Sequence, residues 1–222
     1  MKSPAKTSVK KNGKRPYDAS SRRQAAEMNR KAILDAARAM FCERGYAGTS
    51  MQAIAQVAGI ALDTVYASVG KKPALFALLV ESAISGADVA IPAQERAYVR
   101  AIKAEPDARR KLTIYAEALR TIQERLAPLF RVLQGAATTD AGLAELWNGI
   151  AERRAKNMKL LAKDLAETGR LRRDLSIDMV ADVLWTMNSP EYYLLLVEGR
   201  GWQPLKFEEW LKDAWCRLLL EQ

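Results

Sequence analysis

Apolar residues recur every three or four positions along almost the whole chain from about residue 21, which is the periodicity of helices that bury one face. No stretch alternates apolar and polar residues as a half-buried strand does. The pattern therefore predicts an all-α fold. The predicted helices span 21–44, two short segments within 49–68, one segment from 73 into the nineties, 106–123, 127–137, 140–168, 176–198 and 204–221.

The most informative stretch is 49–76, where two short helical patterns flank Gly59. Thr49 and Ser50 stand where a helix N-cap belongs. The second pattern, 61–68, has only about two turns and is too short to fold alone. Two short helices joined by a glycine-containing turn predict a helix-turn-helix, whose second helix enters the major groove of DNA.

Composition divides the chain into three parts. Residues 1–20 are basic and almost devoid of apolar side chains, so we expect a disordered arm that either lies along DNA or only raises solubility. Residues 21–72 form the predicted helix-turn-helix domain, and residues 73–222 form a larger helical domain. Within that domain, Pro190 should kink or restart the helix that begins at 176, with Ser189 as the new cap.

The net charge of +9 is concentrated at one end of the chain. Residues 1–80 carry 14 basic and 5 acidic side chains, whereas residues 81–222 carry 21 of each. This asymmetry points to a polyanionic partner for the first third of the chain. A solvated basic tail without a partner is the alternative, and it is weaker beside a helix-turn-helix.

Several kinds of chemistry are disfavoured by composition. The absence of histidine removes Ser-His-Asp and Cys-His catalysis and histidine-ligated metals. Cys42 and Cys216 lie far apart without CxxC spacing, so we expect two reduced thiols. No nucleophile–base pair, metal cluster or phosphate-binding loop is visible, so we expect neither an enzyme nor a cofactor.

The chain has no segment typical of export or membrane insertion. Its longest apolar runs, such as 192–197, are too short to span a bilayer. The basic N-terminus lacks the apolar segment of a signal peptide. We therefore expect a cytoplasmic protein without a membrane partner.

Residues 24–80 resemble the TetR family of bacterial transcriptional regulators in the order, spacing and type of their residues. The matching features are Ala-Met-Phe-Cys-Glu-Arg-Gly-Tyr at 39–46, Gly48-Thr49-Ser50, Ile54-Ala55, Ala58-Gly59-Ile60, Thr64-Val65-Tyr66 and Lys72-Pro73-Ala74-Leu75-Phe76. The resemblance implies a homodimer in which three N-terminal helices bind a double-stranded operator. It also implies that the C-terminal helices dimerise and sense a small molecule.

The resemblance further implies a set of DNA contacts. Thr49 and Ser50 would hold a phosphate at a helix N-terminus, and Thr64 and Tyr66 would contact phosphate and sugar. Lys72 would supply a point charge for phosphate.

The positions best placed to read bases depart from the family pattern. Ala61 and Leu62 can touch only a thymine methyl group. Asp63 either accepts from a cytosine amino group or favours the positive end of the helix dipole. These positions therefore offer little direct recognition of bases, and the arm and the shape of the DNA would contribute more to specificity.

A ligand pocket implied by the resemblance should lie between the helices at 106–123, 127–137, 140–168 and 176–198. Candidate apolar walls and polar anchors are Tyr115, Phe130, Trp147, Met158, Trp185, Glu117, Arg120 and Asn188. Each of these side chains is individually more typical of core or surface than of a ligand contact. Such walls suit an apolar or aromatic compound.

The helices at 176–198 and 204–221 carry broad apolar stripes that suit a four-helix bundle across a two-fold axis. An ordinary intrachain core is the alternative. The leading functional hypothesis is a repressor released from its operator by a small apolar or aromatic ligand. Its alternatives are a transcriptional activator and a non-sensing dimeric architectural DNA binder.

Overall fold

The computed structural model describes residues 19–221. Residues 1–18, and with them most of the predicted basic arm, lie outside the described part. Ten α-helices and a 3-10 turn at Ala93–Glu95 account for most of the described residues. The helices are α1 Ala19–Arg44, α2 Met51–Ala58, α3 Leu62–Val69, α4 Lys72–Ser85, α5 Ala97–Ala104, α6 Ala108–Ala137, α7 Ala141–Ala166, α8 Ile177–Met187, α9 Pro190–Val197 and α10 Pro204–Leu219.

Helices α1–α3 form a head whose apolar centre continues into α4, α6 and α7. Ile33, Phe41, Ile54 and Val65 are fully buried there. Phe41 meets Phe76 of α4 edge-to-face with ring centroids 5.0 Å apart. Because α2 and α3 are each only eight residues long, their stability depends on this shared core rather than on helix propensity.

The turn between α2 and α3 depends on Gly59. Its φ of 68° is left-handed, and its backbone N–H donates to the carbonyls of Ala55 and Gln56. Glycine adopts this conformation without the steric cost that a Cβ atom brings. The predicted glycine turn is therefore present, and it sets the angle at which α3 leaves α2.

Helix α6 is the centre of the body, which comprises α5–α10. It packs against α4, α5, α7, α9 and α10. The prediction of separate helices at 106–123 and 127–137 is wrong, because α6 runs unbroken for 30 residues with Pro128 inside it. Proline removes one backbone hydrogen bond from a helix, and burial of α6 on both sides of Pro128 outweighs that loss.

The helix predicted from 73 into the nineties is also wrong in its extent. Helix α4 ends at Ser85, where Gly86 adopts a left-handed φ of 75°. A loop, the 3-10 turn and the unpredicted helix α5 follow. The apolar residues at 74–80 all lie in α4. This helix needs an apolar surface because it packs against α1 in the head and against α6 in the body.

The predicted restart at Pro190 is confirmed. Helix α8 ends at Met187 and α9 begins at Pro190, with the Ser189 side chain accepting a hydrogen bond from the backbone N–H of Tyr192 at 3.0 Å. Within the described part of the chain, no helix is long and apolar enough to cross a membrane. The same residues contain no group of three or more cysteine or acidic side chains arranged to hold a metal ion.

Candidate DNA-binding surface and ligand cavity

Helix α3 buries one face and exposes the other. Val65 and Val69 point into the core of the head, whereas the side chains on the opposite face are open to solvent. The exposed residues on and beside α3 are Ala61, Asp63, Thr64, Tyr66 and Ala67. Leu62 is half-buried against the head core, so of the two apolar candidates for base contact only Ala61 is fully exposed.

Tyr66 lies on the open face, and 44% of its surface is exposed. Arg30 of α1 forms a hydrogen bond to α3, because its guanidinium donates to the Ser68 carbonyl at 3.0 Å. The Tyr66 ring and hydroxyl are available to a partner outside the head.

The two N-cap candidates of α2 differ sharply. Ser50 is exposed, and its hydroxyl oxygen accepts from the backbone N–H of Ala53 at 3.1 Å. Thr49 is only 1% exposed, and its hydroxyl donates to the carbonyls of Met40 at 3.1 Å and Gly45 at 2.9 Å. The Thr49 side chain therefore joins α1 to α2, and this geometry departs from the expected phosphate contact.

Lys72 is partly buried at the start of α4. Its ammonium lies 4.1 Å from the centroid of the Tyr46 ring, a favourable cation–π distance. Burial lowers the pKa of Lys72 below its ordinary value, and the nearby Asp140 carboxylate acts in the opposite direction. The preceding Lys71 is exposed and was missed by motif matching, although it stands next to the matched lysine.

A cavity of about 490 Å³ lies between α4, the 3-10 turn, α5, α6, α7 and the junction of α8 with α9. This volume is in the range of small-molecule sites. Most of its wall is apolar, and the main contributors are Ile84, Ile102, Leu119, Ile122, Leu126 and Leu161.

Three of the eight ligand candidates line this cavity, namely Tyr115, Met158 and Asn188. Phe130 and Trp147 pack against each other with centroids 4.4 Å apart. They belong to the apolar cluster that continues from the head, and neither is among the residues that line the cavity.

The remaining three candidates make contacts away from the cavity. Glu117 lies 3.5 Å from the ammonium of Lys212, and Arg120 pairs with Glu208 at 2.7 Å. The Trp185 indole N–H donates to the Ala151 carbonyl at 3.2 Å. The structure thus brings together Tyr115 of α6, Met158 of α7 and Asn188 at the end of α8, and it places the other five candidates away from the cavity.

A buried polar cluster forms one side of the cavity. The Asn188 side-chain amide donates to the Tyr115 hydroxyl at 2.7 Å, and the Asn188 side-chain oxygen accepts from Arg154 at 3.0 Å. Gln123 donates to the Asn188 backbone carbonyl at 2.7 Å. Burial raises the pKa of Tyr115, so its hydroxyl stays protonated at neutral pH.

Gln123 was missed by the search for polar anchors. The signal was available, since Gln123 falls on the buried stripe of α6 that also carries Leu112, Tyr115 and Leu119. A polar residue on an apolar stripe is expected to have a buried partner.

The head has the geometry of a helix-turn-helix with an open second helix, and α4 attaches it to a helical body that contains a cavity. Residues 33–79 match the family model of the bacterial regulatory proteins of the tetR family. The predicted resemblance to this family is confirmed over these residues. No curated protein sequence matches the chain.

Solved structures share the fold of the whole chain. NalD of Pseudomonas aeruginosa, described as the secondary repressor of the MexAB-OprM multidrug efflux pump, is 21% identical with a TM-score of 0.69, covering 88% of this chain and 99% of NalD. A protein of Saccharomonospora viridis solved with choline is 19% identical, with a TM-score of 0.66 and coverage of 87% and 98%. The SmeT–triclosan complex is 20% identical, with a TM-score of 0.61 and coverage of 87% and 92%.

Proposed function

We propose that the protein is a repressor that leaves its operator when a small, largely apolar molecule enters the cavity of the body. The observation that carries this proposal is the position of α4. This helix begins at Lys72, beside the end of α3, and its Glu81 and Ile84 line the cavity. A molecule in the cavity therefore contacts the same helix that supports the DNA-reading head.

The proposed mechanism is a shift between two arrangements of a dimer. Two α3 helices about 34–36 Å apart can enter successive major grooves of one duplex. A ligand that binds better when α4 is displaced favours an arrangement with another spacing. Affinity for DNA then falls by the ratio of the ligand's affinities for the two arrangements.

Structural neighbours support the proposal by analogy. NalD is described as a repressor, and SmeT was solved with triclosan. The fold therefore serves repression and small-molecule binding in other proteins. The cavity also argues against the architectural alternative, because a domain that only dimerises has no need of one.

The proposed dimer interface lies on α8, α9 and α10. Large apolar side chains remain exposed there although the intrachain core is complete. They are Met179, Trp185, Leu195, Leu205, Trp210 and Leu218. Apolar surface of this kind is typical of an association face.

The proposed DNA contacts are Ser50, Thr64, Tyr66, Lys71 and Lys72, with Ala61 facing bases. All except Lys72 are exposed, and Lys72 would reach phosphate only by leaving Tyr46. Asp63 is the one acidic residue in the first turn of α3. Its carboxylate would either accept from the amino group of a cytosine or interact favourably with the positive end of the helix dipole.

The first experiment is genome-wide selection of DNA fragments that the purified protein binds, followed by affinity measurements on the enriched sequence over a range of salt concentrations. Lys71→Ala should weaken binding and lower the slope of log K against log salt by about 1. Lys163→Ala on α7 is the matched control and should leave the slope unchanged. Absence of an enriched sequence, or equal slopes for both variants, contradicts the proposal.

The sign of regulation is tested in cells. Deleting the gene should raise transcription of the genes beside the enriched sites if the protein represses them. A fall in their transcription would identify the alternative, an activator.

A further inference from the structure

The side chain of Gln123 lines the cavity and is only 1% exposed. Its amide nitrogen donates to the Asn188 carbonyl at 2.7 Å. Since a carbonyl can only accept, this bond determines which end of the amide is nitrogen. The Gln123 side-chain oxygen is buried, and it has no hydrogen-bond partner among the described residues.

An unpaired buried acceptor is uncommon because it loses its water without gaining a donor. Gln123 is ordered by a strong bond at one end of its amide and unpaired at the other. Gln123 therefore holds an unpaired acceptor in the wall of the cavity.

A second group in the cluster is also weakly engaged. The Tyr115 hydroxyl accepts from Asn188, and its own hydrogen is directed to the thioether sulfur of Met158 at 3.5 Å. Sulfur is a weak acceptor, so this hydrogen is readily redirected. Gln123 and Tyr115 both bond Asn188, which places one acceptor and one donor in the same polar cluster.

The charges of the wall disfavour a cationic ligand, because five basic side chains line the cavity and only two acidic ones do. The basic residues are Arg96, Lys103, Arg153, Arg154 and Lys156. The carboxylates among the lining residues are Glu81, which pairs with Arg153, and Asp164, which pairs with Lys111 at 2.8 Å. Neither is free to neutralise a cationic ligand. An anionic carboxylate ligand carries no hydrogen to give, so it would leave the Gln123 oxygen unpaired.

We infer that the cavity takes an uncharged, largely apolar molecule whose hydroxyl or N–H group donates to the side-chain oxygen of Gln123. A hydroxyl fits best because it can also accept from Tyr115. This inference rests on the proposed effector cavity and names the chemical class of its ligand.

Matched pairs of probes test the inference on the wild-type, full-length protein. The pairs are 4-hydroxybiphenyl with 4-methoxybiphenyl and 2-naphthol with 2-methoxynaphthalene, with 4-biphenylcarboxylate as the anionic probe. Calorimetric titration should show each phenol binding about tenfold more tightly than its methyl ether, because only the phenol pairs the buried acceptor. The carboxylate should bind more weakly than 4-hydroxybiphenyl.

Two variants locate the effect. Gln123→Met keeps the length of the side chain and removes its oxygen, so the phenol and its ether should bind with equal affinity. Gln94→Met is the matched control, because Gln94 also lines the cavity but is exposed, and it should preserve the difference. If Gln123→Met does not fold, the wild-type pairs decide the question alone.

Equal affinity of phenols and ethers for the wild-type protein would overturn the inference, as would a difference that survives in Gln123→Met. Failure of every probe to bind would overturn it as well. The proposed function is tested separately, by adding the probes to the protein–operator complex and measuring how much operator stays bound. Tight phenol binding without any loss of operator binding would support the inference and contradict the ligand-released repressor.

Discussion

The role that the motif predicts for Thr49 differs from the role that its contacts indicate. It occupies the position of a phosphate contact, yet its hydroxyl is buried and bonded to two carbonyls that close α1 onto α2. Ser50, its neighbour, remains on the surface as the cap of α2. The two hydroxyls therefore differ in their contacts: that of Thr49 bonds buried backbone, whereas that of Ser50 caps α2 and stays exposed.

Thr49→Val should lower the free energy of unfolding by about 1–3 kcal/mol, because two buried carbonyls lose their donor. Thr49→Ser keeps the hydroxyl and should cost less. Urea unfolding at equilibrium measures both. Ser50→Ala is the comparison and should cost about 1 kcal/mol through loss of the cap, with a further loss of operator affinity. Equal stability of Thr49→Val and wild type would refute the structural role.

Glu208 makes stability depend on pH. Burial acts to raise the pKa of this carboxyl, but hydrogen bonds from Lys212 and Arg120 outweigh burial and hold the pKa below its ordinary value. A lowered pKa in the folded state means that the stabilisation is present above the pKa of the unfolded chain. It is lost as the pH falls through the folded-state pKa.

Glu208→Gln should therefore destabilise the protein at pH 7, and the difference from wild type should shrink progressively below about pH 4. Urea unfolding at a series of pH values provides the measurement. Asp213→Asn removes the exposed pair with Arg217 and should change stability little at any pH. A constant difference between Glu208→Gln and wild type down to low pH would exclude the linkage.

At the scale of elements, α4 connects the head to the cavity, and its end is held on two sides. Gly86 terminates the helix with a left-handed φ, and a Cβ atom at this position would lie 3.2 Å from the guanidinium of Arg125. That guanidinium donates to the Ala83 carbonyl at 3.0 Å. Arg38 of α1 in turn donates to the Arg125 carbonyl at 3.1 Å, so α1, α4 and α6 meet at one point.

Gly86→Ala should cost more stability than Gly59→Ala, although both glycines have nearly the same φ. At Gly59 nothing lies within 4 Å of an added Cβ atom, so only the left-handed conformation is penalised, by roughly 1–2 kcal/mol. At Gly86 the bonded guanidinium must also move. Thermal and urea unfolding test the order of the two.

Gly149→Ala is the control for added methyl groups. Gly149 lies inside α7 with nothing within 4 Å of the new Cβ atom. The substitution should stabilise the protein by about 0.5–1 kcal/mol, because alanine loses less backbone freedom in a helix.

If Gly59→Ala proves more costly than Gly86→Ala, the result would argue against the close approach of Arg125 at Gly86.

At the scale of the whole molecule, exposed apolar side chains on α8 and α10 set the expected assembly. The double variant Met179→Arg with Leu218→Arg should be a monomer of 24.7 kDa, whereas the wild type should sediment as a dimer. Charged side chains cannot be buried in a two-fold interface without partners. Analytical ultracentrifugation distinguishes the two masses.

Val89→Arg, an exposed apolar position in the loop after α4, is the control and should leave the dimer intact. The monomeric variant should also bind the operator much more weakly, since one head reaches only one half-site. A double variant that stays dimeric would remove α8 and α10 from the interface.

Local sequence patterns predicted most of the helices and much of the head. Gly59, the Ser50 cap and the restart at Ser189 act through neighbours within about four residues, which is the range that a sequence window covers. The cavity was predicted only in outline. Tyr115, Met158 and Asn188 line it, but Glu117 and Arg120 pair with charged residues of α10, because a helical pattern does not say which neighbour each face meets.

What the sequence by itself determined was therefore the all-helical class, the helix-turn-helix and the basic end of the chain, since these depend on periodicity, turn residues and composition. Only the tertiary structure decided that α6 continues through Pro128, that the Thr49 hydroxyl is bonded inside the head, and that the Gln123 oxygen is buried and unpaired. Each of these outcomes depends on burial by residues distant in the sequence. Burial sets the free energy of a polar group or a lost backbone bond only once the whole chain has packed.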